Sequence, residues 1–137
     1  MKKNQDGFVN EIYETSLSIN DRKAKGIYYT PPELVTFMIN LITVKKNSKI
    51  LEAGCGVGNF VIPLIKKLNK ISNQTKTSNK TLQKILSNNI FAFDFDSNAI
   101  KILKNSISVN SPNIKSSSFL LETSFDNDEY DVVIGNP

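Results

Sequence analysis

Histidine is absent from these 137 residues, and cysteine occurs once, at Cys55. A histidine-ligated zinc site and a Ser-His or Cys-His nucleophile are thereby excluded. A lone cysteine also excludes an internal disulfide and suits a reducing compartment. No apolar run approaches the length of a membrane span. The opening "MKKNQDGF" has two lysines but no apolar stretch behind them, so no export signal is expected and a cytoplasmic location is. There is no internal repeat and no Gly-Lys-Ser/Thr phosphate loop. Acids are missing from the stretch between Val61 and Ile90, which holds Lys66, Lys67, Lys70, Lys76, Lys80 and Lys84. Taking those six from the 17 basic residues leaves 11 against 13 acids, so the net charge of +4 belongs to that segment. Such a segment can neutralise nucleic-acid phosphates. The plainer reading, a solvated Lys/Asn/Ser-rich loop, is the one we prefer.

What is present fits one domain with a real core: 39% of residues are hydrophobic. Scattered apolar positions over 7–20 (Phe8, Ile12, Leu17, Ile19) suggest a short covering helix, followed by an exposed loop, "DRKAKG". "YYTPPELVTFMINLI" then predicts a helix over 31–44. Thr30 stands as its N-cap, Pro31 at the first helical position and Glu33 completes a capping box. Leu34, Phe37, Met38, Leu41 and Ile42 follow at helical spacing. "SKILEAGCGVGNF", residues 48–60, reads as a buried strand, a glycine-rich turn and a helix beginning near Asn59. "IFAFDFD" (90–96) is a second strand and "SNAIKILKNSISV" a helix. "SSSFLLE" (116–122) and "EYDVVIGNP" (129–137) are a third and a fourth strand. Strands alternating with helices predict an α/β layer on a mostly parallel sheet. Residues 69–82, "NKISNQTKTSNKTL", read as an insertion between the first helix after the glycines and the second strand.

Gly54, Gly56 and Gly58 form G-x-G-x-G between a strand and a helix, where the backbone must turn sharply and can approach a ligand closely. A dinucleotide fingerprint would place its third glycine where Asn59 stands. A purely structural turn remains open for this motif alone. Asp94 ends the second strand, where a carboxylate accepts from ribose hydroxyls in doubly wound nucleotide sites, and Phe95 could pack on an adenine ring. A solvated strand-end acid is the alternative for Asp94, and Asp96 suits the N-cap of the next helix. "IGNP" taken alone is also ordinary turn chemistry.

Together these residues resemble the S-adenosylmethionine-dependent methyltransferases. With "YYTPPEL" upstream and "DVVIGNP" downstream, residues 24–137 resemble the N6-adenine DNA methyltransferases of restriction–modification systems. The resemblance implies a partial Rossmann-like, class I methyltransferase fold with about four strands, behind an N-terminal helical extension over 1–23. It implies S-adenosyl-L-methionine as cofactor and adenine in DNA as target. Tyr28, Tyr29 and Thr30 would lie against the methionine part. Glu52, Ala53, Gly54 and Gly56 would form the loop around the amino-acid and ribose portions, Asp94 would bind the ribose hydroxyls, and Phe95 would flank the adenine. Where the family has an acid before Phe-Leu to read the adenine amino group, this chain has Ser118, Phe119 and Leu120, and a serine accepts less strongly than a carboxylate.

The resemblance also makes Asn136 and Pro137 the catalytic pair, whose side-chain and backbone oxygens would accept the two hydrogens of the target amino group. The second proline and the stacking aromatic of that motif would fall after residue 137. The chain alone is therefore expected to have little activity, to expose strand 130–135 as an edge, and to need a second polypeptide for the remaining strands. No metal and no membrane are implied. Three rivals are a fragment similar to the protein glutamine methyltransferases, which lack the Tyr-Thr-Pro-Pro helix start, a non-catalytic interaction module, and a nicotinamide-binding domain, which Asn59 disfavours.

Overall fold

A computed structural model describes residues 12–13, 15–20, 22, 28, 30–73, 78–118 and 129–136. Its elements are α1 (Pro32–Leu41), β1 (Ile50–Ala53), α2 (Val61–Ile71), α3 (Asn79–Asn88), β2 (Ile90–Asp94), α4 (Ser97–Ile107), β3 (Ile114–Ser116) and β4 (Val132–Ile134). The strands form one sheet in the order β3-β2-β1-β4. Every pairing is parallel, with Ile50 opposite Ile90 and Val132, and Ala92 opposite Ile114. β1 and β2 are near-continuous apolar runs because parallel strands are buried on both faces. The chain travels outward from β1 through β2 to β3 and then returns to lay β4 on the other side of β1. That reversal opens a crevice at the carboxyl ends of the strands, where ligands bind in such sheets.

Ile50, Ile90, Ala92, Ile114 and Ile134 share one continuous core with Val35 and Ile39 of α1, Leu64 and Leu68 of α2, Ile85 and Leu86 of α3, and Leu103 of α4. Each fully buried Leu or Ile contributes about 1.5–3 kcal/mol of burial free energy. On the opposite face Leu51, Phe91 and Phe93 cluster with Tyr130, whose ring meets Phe91 edge-on at 5.3 Å. Val133, on that same face of the edge strand β4, is 66% exposed.

Several boundaries differ from expectation. α1 ends at Leu41, with Ile42 already extended. Its packed residues are Val35 and Ile39, while Leu34, Phe37 and Leu41 are exposed. Thr30 does not cap it: Pro31 holds the N-cap position without a side-chain cap bond, and the Thr30 hydroxyl is engaged elsewhere. α2 starts at Val61, two residues after Asn59. The third strand lies earlier than 116–122, at Ile114–Ser116, where its backbone aligns with Ala92–Asp94; residues 119–122 lie outside the described ones. The fourth strand is confined to Val132–Ile134. Residues 69–82 divide between the end of α2 and the start of α3, a helix capped by Ser78 accepting from the Thr81 N–H at 3.2 Å. In the stretch 7–20, helical backbone is present at 12–13, 15–16 and 19–20, interrupted at Leu17 and Ser18; residues 7–11 and 14 lie outside the described ones.

Candidate cofactor and target-base site

The loop after β1, the end of β2 and the end of β4 meet at the crevice. Gly56 has a left-handed φ of +52°, and a Cβ there would find no atom within 4 Å. A side chain at that point would project into open space, so the glycine leaves the loop free for close approach by a ligand. Asp94 locks the loop from the neighbouring strand. Its Oδ2 accepts the Gly56 N–H at 2.7 Å, and its Oδ1 accepts the Asp96 N–H at 2.8 Å. Each carboxylate oxygen keeps a further lone pair for a hydroxyl donor. Asp96 caps α4, as expected, by accepting from Asn98 and Ala99 N–H groups. Phe95, between the two acids, is exposed and free to stack on a planar ring.

Glu52 lies beneath the loop at 1% exposure. Its carboxyl accepts the Phe60 and Val61 N–H groups, so a strand side chain satisfies the start of α2, where Phe60 offers no cap of its own. Oε2 has no partner among the described residues. Burial, and then the charge of Asp94, raise the acid well above the usual carboxylate range. Two carboxyls so arranged favour one charge, not two. Burial likewise raises the Cys55 thiol, so this cysteine is a packed loop residue and not a nucleophile.

Asn136 reaches the crevice because Gly135 lies against β1. A Cβ on Gly135 would fall 2.7 Å from the Ala53 carbonyl oxygen, so only a glycine permits this approach. The Asn136 Nδ2 then donates to Thr30 Oγ1 at 3.3 Å. Of the sequence-selected residues, Thr30, Glu52, Ala53, Gly54, Gly56, Asp94, Phe95 and Asn136 thus lie at the carboxyl-end side of β1, β2 and β4, Glu52 buried beneath the loop. Tyr28 is exposed ahead of α1. Ser118 is half-buried just after β3, one residue beyond Ser117, whose N–H donates to the Asp94 carbonyl at 3.0 Å. Tyr29, Phe119 and Pro137 lie outside the described residues. Sequence reasoning missed Tyr13, whose hydroxyl donates to Asp96 Oδ2 at 2.7 Å from a position 83 residues away. No local signal marks such a contact.

A reversed parallel sheet with a glycine loop after β1 and an acid closing β2 places the chain among α/β proteins of the doubly wound, Rossmann-like kind. The open cradle at Gly56 and the free lone pairs of Asp94 leave room and acceptors for a ligand beside the loop. Comparison with known proteins narrows the class. The chain belongs to the N-6 DNA Methylase family, whose pattern matches residues 4–137. It is 29% identical over 135 residues to the type II methyltransferase M.VspI of Vibrio sp. (strain 343), covering 94% of this chain and 29% of that one. It is 30% identical over 112 residues to the type II methyltransferase M.HincII of Haemophilus influenzae, covering 82% of this chain and 16% of the relative. In fold it is similar to "a modification subunit of a putative type I restriction enzyme" from Vibrio vulnificus YJ016. The TM-score is 0.63 at 23% identity, over 100% of this chain and 30% of that one. The chain therefore spans less than a third of the length of these relatives. Membership of a methylase family implies a methyl donor. Among the described residues no helix is long and apolar enough to cross a membrane, and no cluster of His, Cys, Asp and Glu could hold a metal.

Proposed function

We propose that this chain is the cofactor-binding part of a cytoplasmic DNA methyltransferase that transfers a methyl group from S-adenosylmethionine to N6 of adenine. The observation that carries the reading is the convergence of the Gly56 loop, Asp94 and Asn136 on one crevice at the carboxyl ends of β2, β1 and β4. Asp94 accepts from the ribose hydroxyls, held in place by the two backbone N–H groups it already takes. Phe95 lies on the adenine of the cofactor, and the loop 52–56 encloses its amino-acid end. The cofactor supplies an electrophilic methyl on a sulfonium.

The protein's task is to make a weak nucleophile react. The exocyclic nitrogen of adenine delocalises its lone pair into the ring. Asn136 Oδ1 and the Pro137 carbonyl accept its two hydrogens, which favours a pyramidal nitrogen with its lone pair directed outward. Positioning and electrostatics do the work, with no covalent enzyme intermediate. The base must leave the duplex to reach Asn136. DNA is thus the partner of the complete enzyme.

Titration with S-adenosylhomocysteine by calorimetry tests the cofactor assignment. The wild type is expected to bind saturably, and Asp94→Ala to lose about ten- to a hundredfold in affinity, the worth of hydrogen bonds to a charged acceptor. Equal affinity in both proteins would remove Asp94 from the site.

A further inference from the structure

We propose that Tyr13 is a positioning residue for the cofactor: its hydroxyl fixes the turn Asp94–Phe95–Asp96, so that docking of the N-terminal segment and binding of the cofactor's adenosine part strengthen one another. The proposal rests on the roles of Asp94 and Phe95 given above. Tyr13 donates to Asp96 Oδ2 at 2.7 Å. A carboxylate oxygen only accepts, so the direction of this bond is settled, and its length is that of a charge-assisted bond. Burial, then the bond to Asp96, then the charges of Asp96 and Asp94 hold the phenol proton well above its ordinary value of 10.0. The hydroxyl thus stands in the field of both acids and remains a donor.

The turn is held at four points. Asp94 Oδ2 accepts the Gly56 N–H, Asp94 Oδ1 the Asp96 N–H, and Asp96 Oδ1 the Asn98 and Ala99 N–H groups at the start of α4. Those three come from the sheet and its helices. The fourth, from Tyr13 to Asp96 Oδ2, arrives from 83 residues upstream. Asp96 is 6% exposed, so without Tyr13 its second oxygen would lose a donor where water has little access. The carboxylate would turn to recover one, and the main chain it anchors would loosen with it. Phe95 between the two acids is 56% exposed, so its ring is aimed by the main chain of its neighbours and not by packing. In the upstream segment Tyr13 and Leu17 are half-buried, whereas Ile12, Thr15, Ser16 and Ile19 are exposed, so the segment rests on the molecule by one side. A ligand that engages Asp94 and Phe95 favours the arrangement of the turn that Tyr13 favours, and such coupling is reciprocal.

Two readouts on the full 137-residue chain test this, with S-adenosylhomocysteine as the probe and Tyr13→Phe as the variant. Phenylalanine keeps the ring and removes the donor. The first readout is calorimetric affinity, expected to fall about two- to tenfold in Tyr13→Phe, the worth of one hydrogen bond felt through the turn. The second is hydrogen exchange at the Arg22 amide, which donates to the Ser18 carbonyl at 3.0 Å and so reports order in the N-terminal segment. Saturating ligand should slow that exchange in the wild type by about the factor lost in affinity, and should leave it unchanged in Tyr13→Phe. A purely structural contact would give the same exchange with and without ligand. Equal affinity in the two proteins, or Arg22 exchange indifferent to ligand in the wild type, overturns the positioning role alone. Absence of binding to the wild type overturns the cofactor reading, and the positioning role falls with it. Where Tyr13→Phe does not fold, the ligand dependence of Arg22 exchange in the wild type decides.

Discussion

A carboxyl as deeply buried as Glu52, with Asp94 for a neighbour, holds its proton above the ordinary value of 4.5. The unfolded chain releases that proton near 4.5, so across the interval up to the raised value the folded protein carries one proton more. Stability therefore falls as pH rises through this window, by about 1.4 kcal/mol per pH unit from this group. Glu52→Gln removes the titration and keeps an oxygen for the Phe60 and Val61 N–H groups. Urea midpoints should fall in the wild type as pH rises above 4.5 and flatten in the variant; parallel curves would mean that Glu52 is ionised in the fold. The places of Asp94 at the end of β2 and of the glycine loop after β1 were legible in the sequence because strand ends and glycine turns carry local signals. Thr30 was not. Thr-Pro-Pro-Glu carries every local sign of a helix cap, and no local sign points to Asn136. Tyr13 and Asp96 are hidden by distance in the same way.

At the scale of elements, helical period is legible but its phase is not. α1 offers two apolar stripes, Leu34-Phe37-Leu41 and Val35-Met38-Ile39-Ile42, and only the sheet decides that the second is packed. α3 escaped detection because Leu82, Ile85 and Leu86, its packed residues, sit in a Lys/Asn-rich stretch that reads as loop. The lysines of that region are not equivalent. Lys67 reaches from α2 to the end of α1, its Nζ donating to the Ile39 and Ile42 carbonyls at 2.6 and 3.0 Å. It satisfies orphan carbonyls and complements the helix dipole. Lys67→Met, which keeps the apolar stem, should lower stability by about 1–2 kcal/mol in denaturant titrations, with Lys70→Met close to neutral. Equal effects would show that the cap adds nothing beyond a solvated lysine.

At the scale of the molecule, the order β3-β2-β1-β4 brings residues from positions 30, 52–56, 94 and 136 to one end of the sheet. The α/β class and parallel sheet were legible because apolar strand runs alternate with helical periods. The short β3 was not, since Ile114–Ser116 has one buried residue and its pairing with β2 defines it. The exposed Val133 beside Leu51, Phe91 and Phe93 is where an interaction module would pair, so a ligand-free chain that dimerises would favour that rival. The central claim is that the crevice, and not the lysine face or the open edge, is the working site. Amide chemical shifts recorded while S-adenosylhomocysteine is added test it most directly. The account predicts changes at Gly54, Gly56, Asp94, Phe95 and Asn136, and quiet amides at Lys70, Lys84 and Val133. Changes confined to the lysine-bearing helices or to β4, with the glycine loop unmoved, would contradict it.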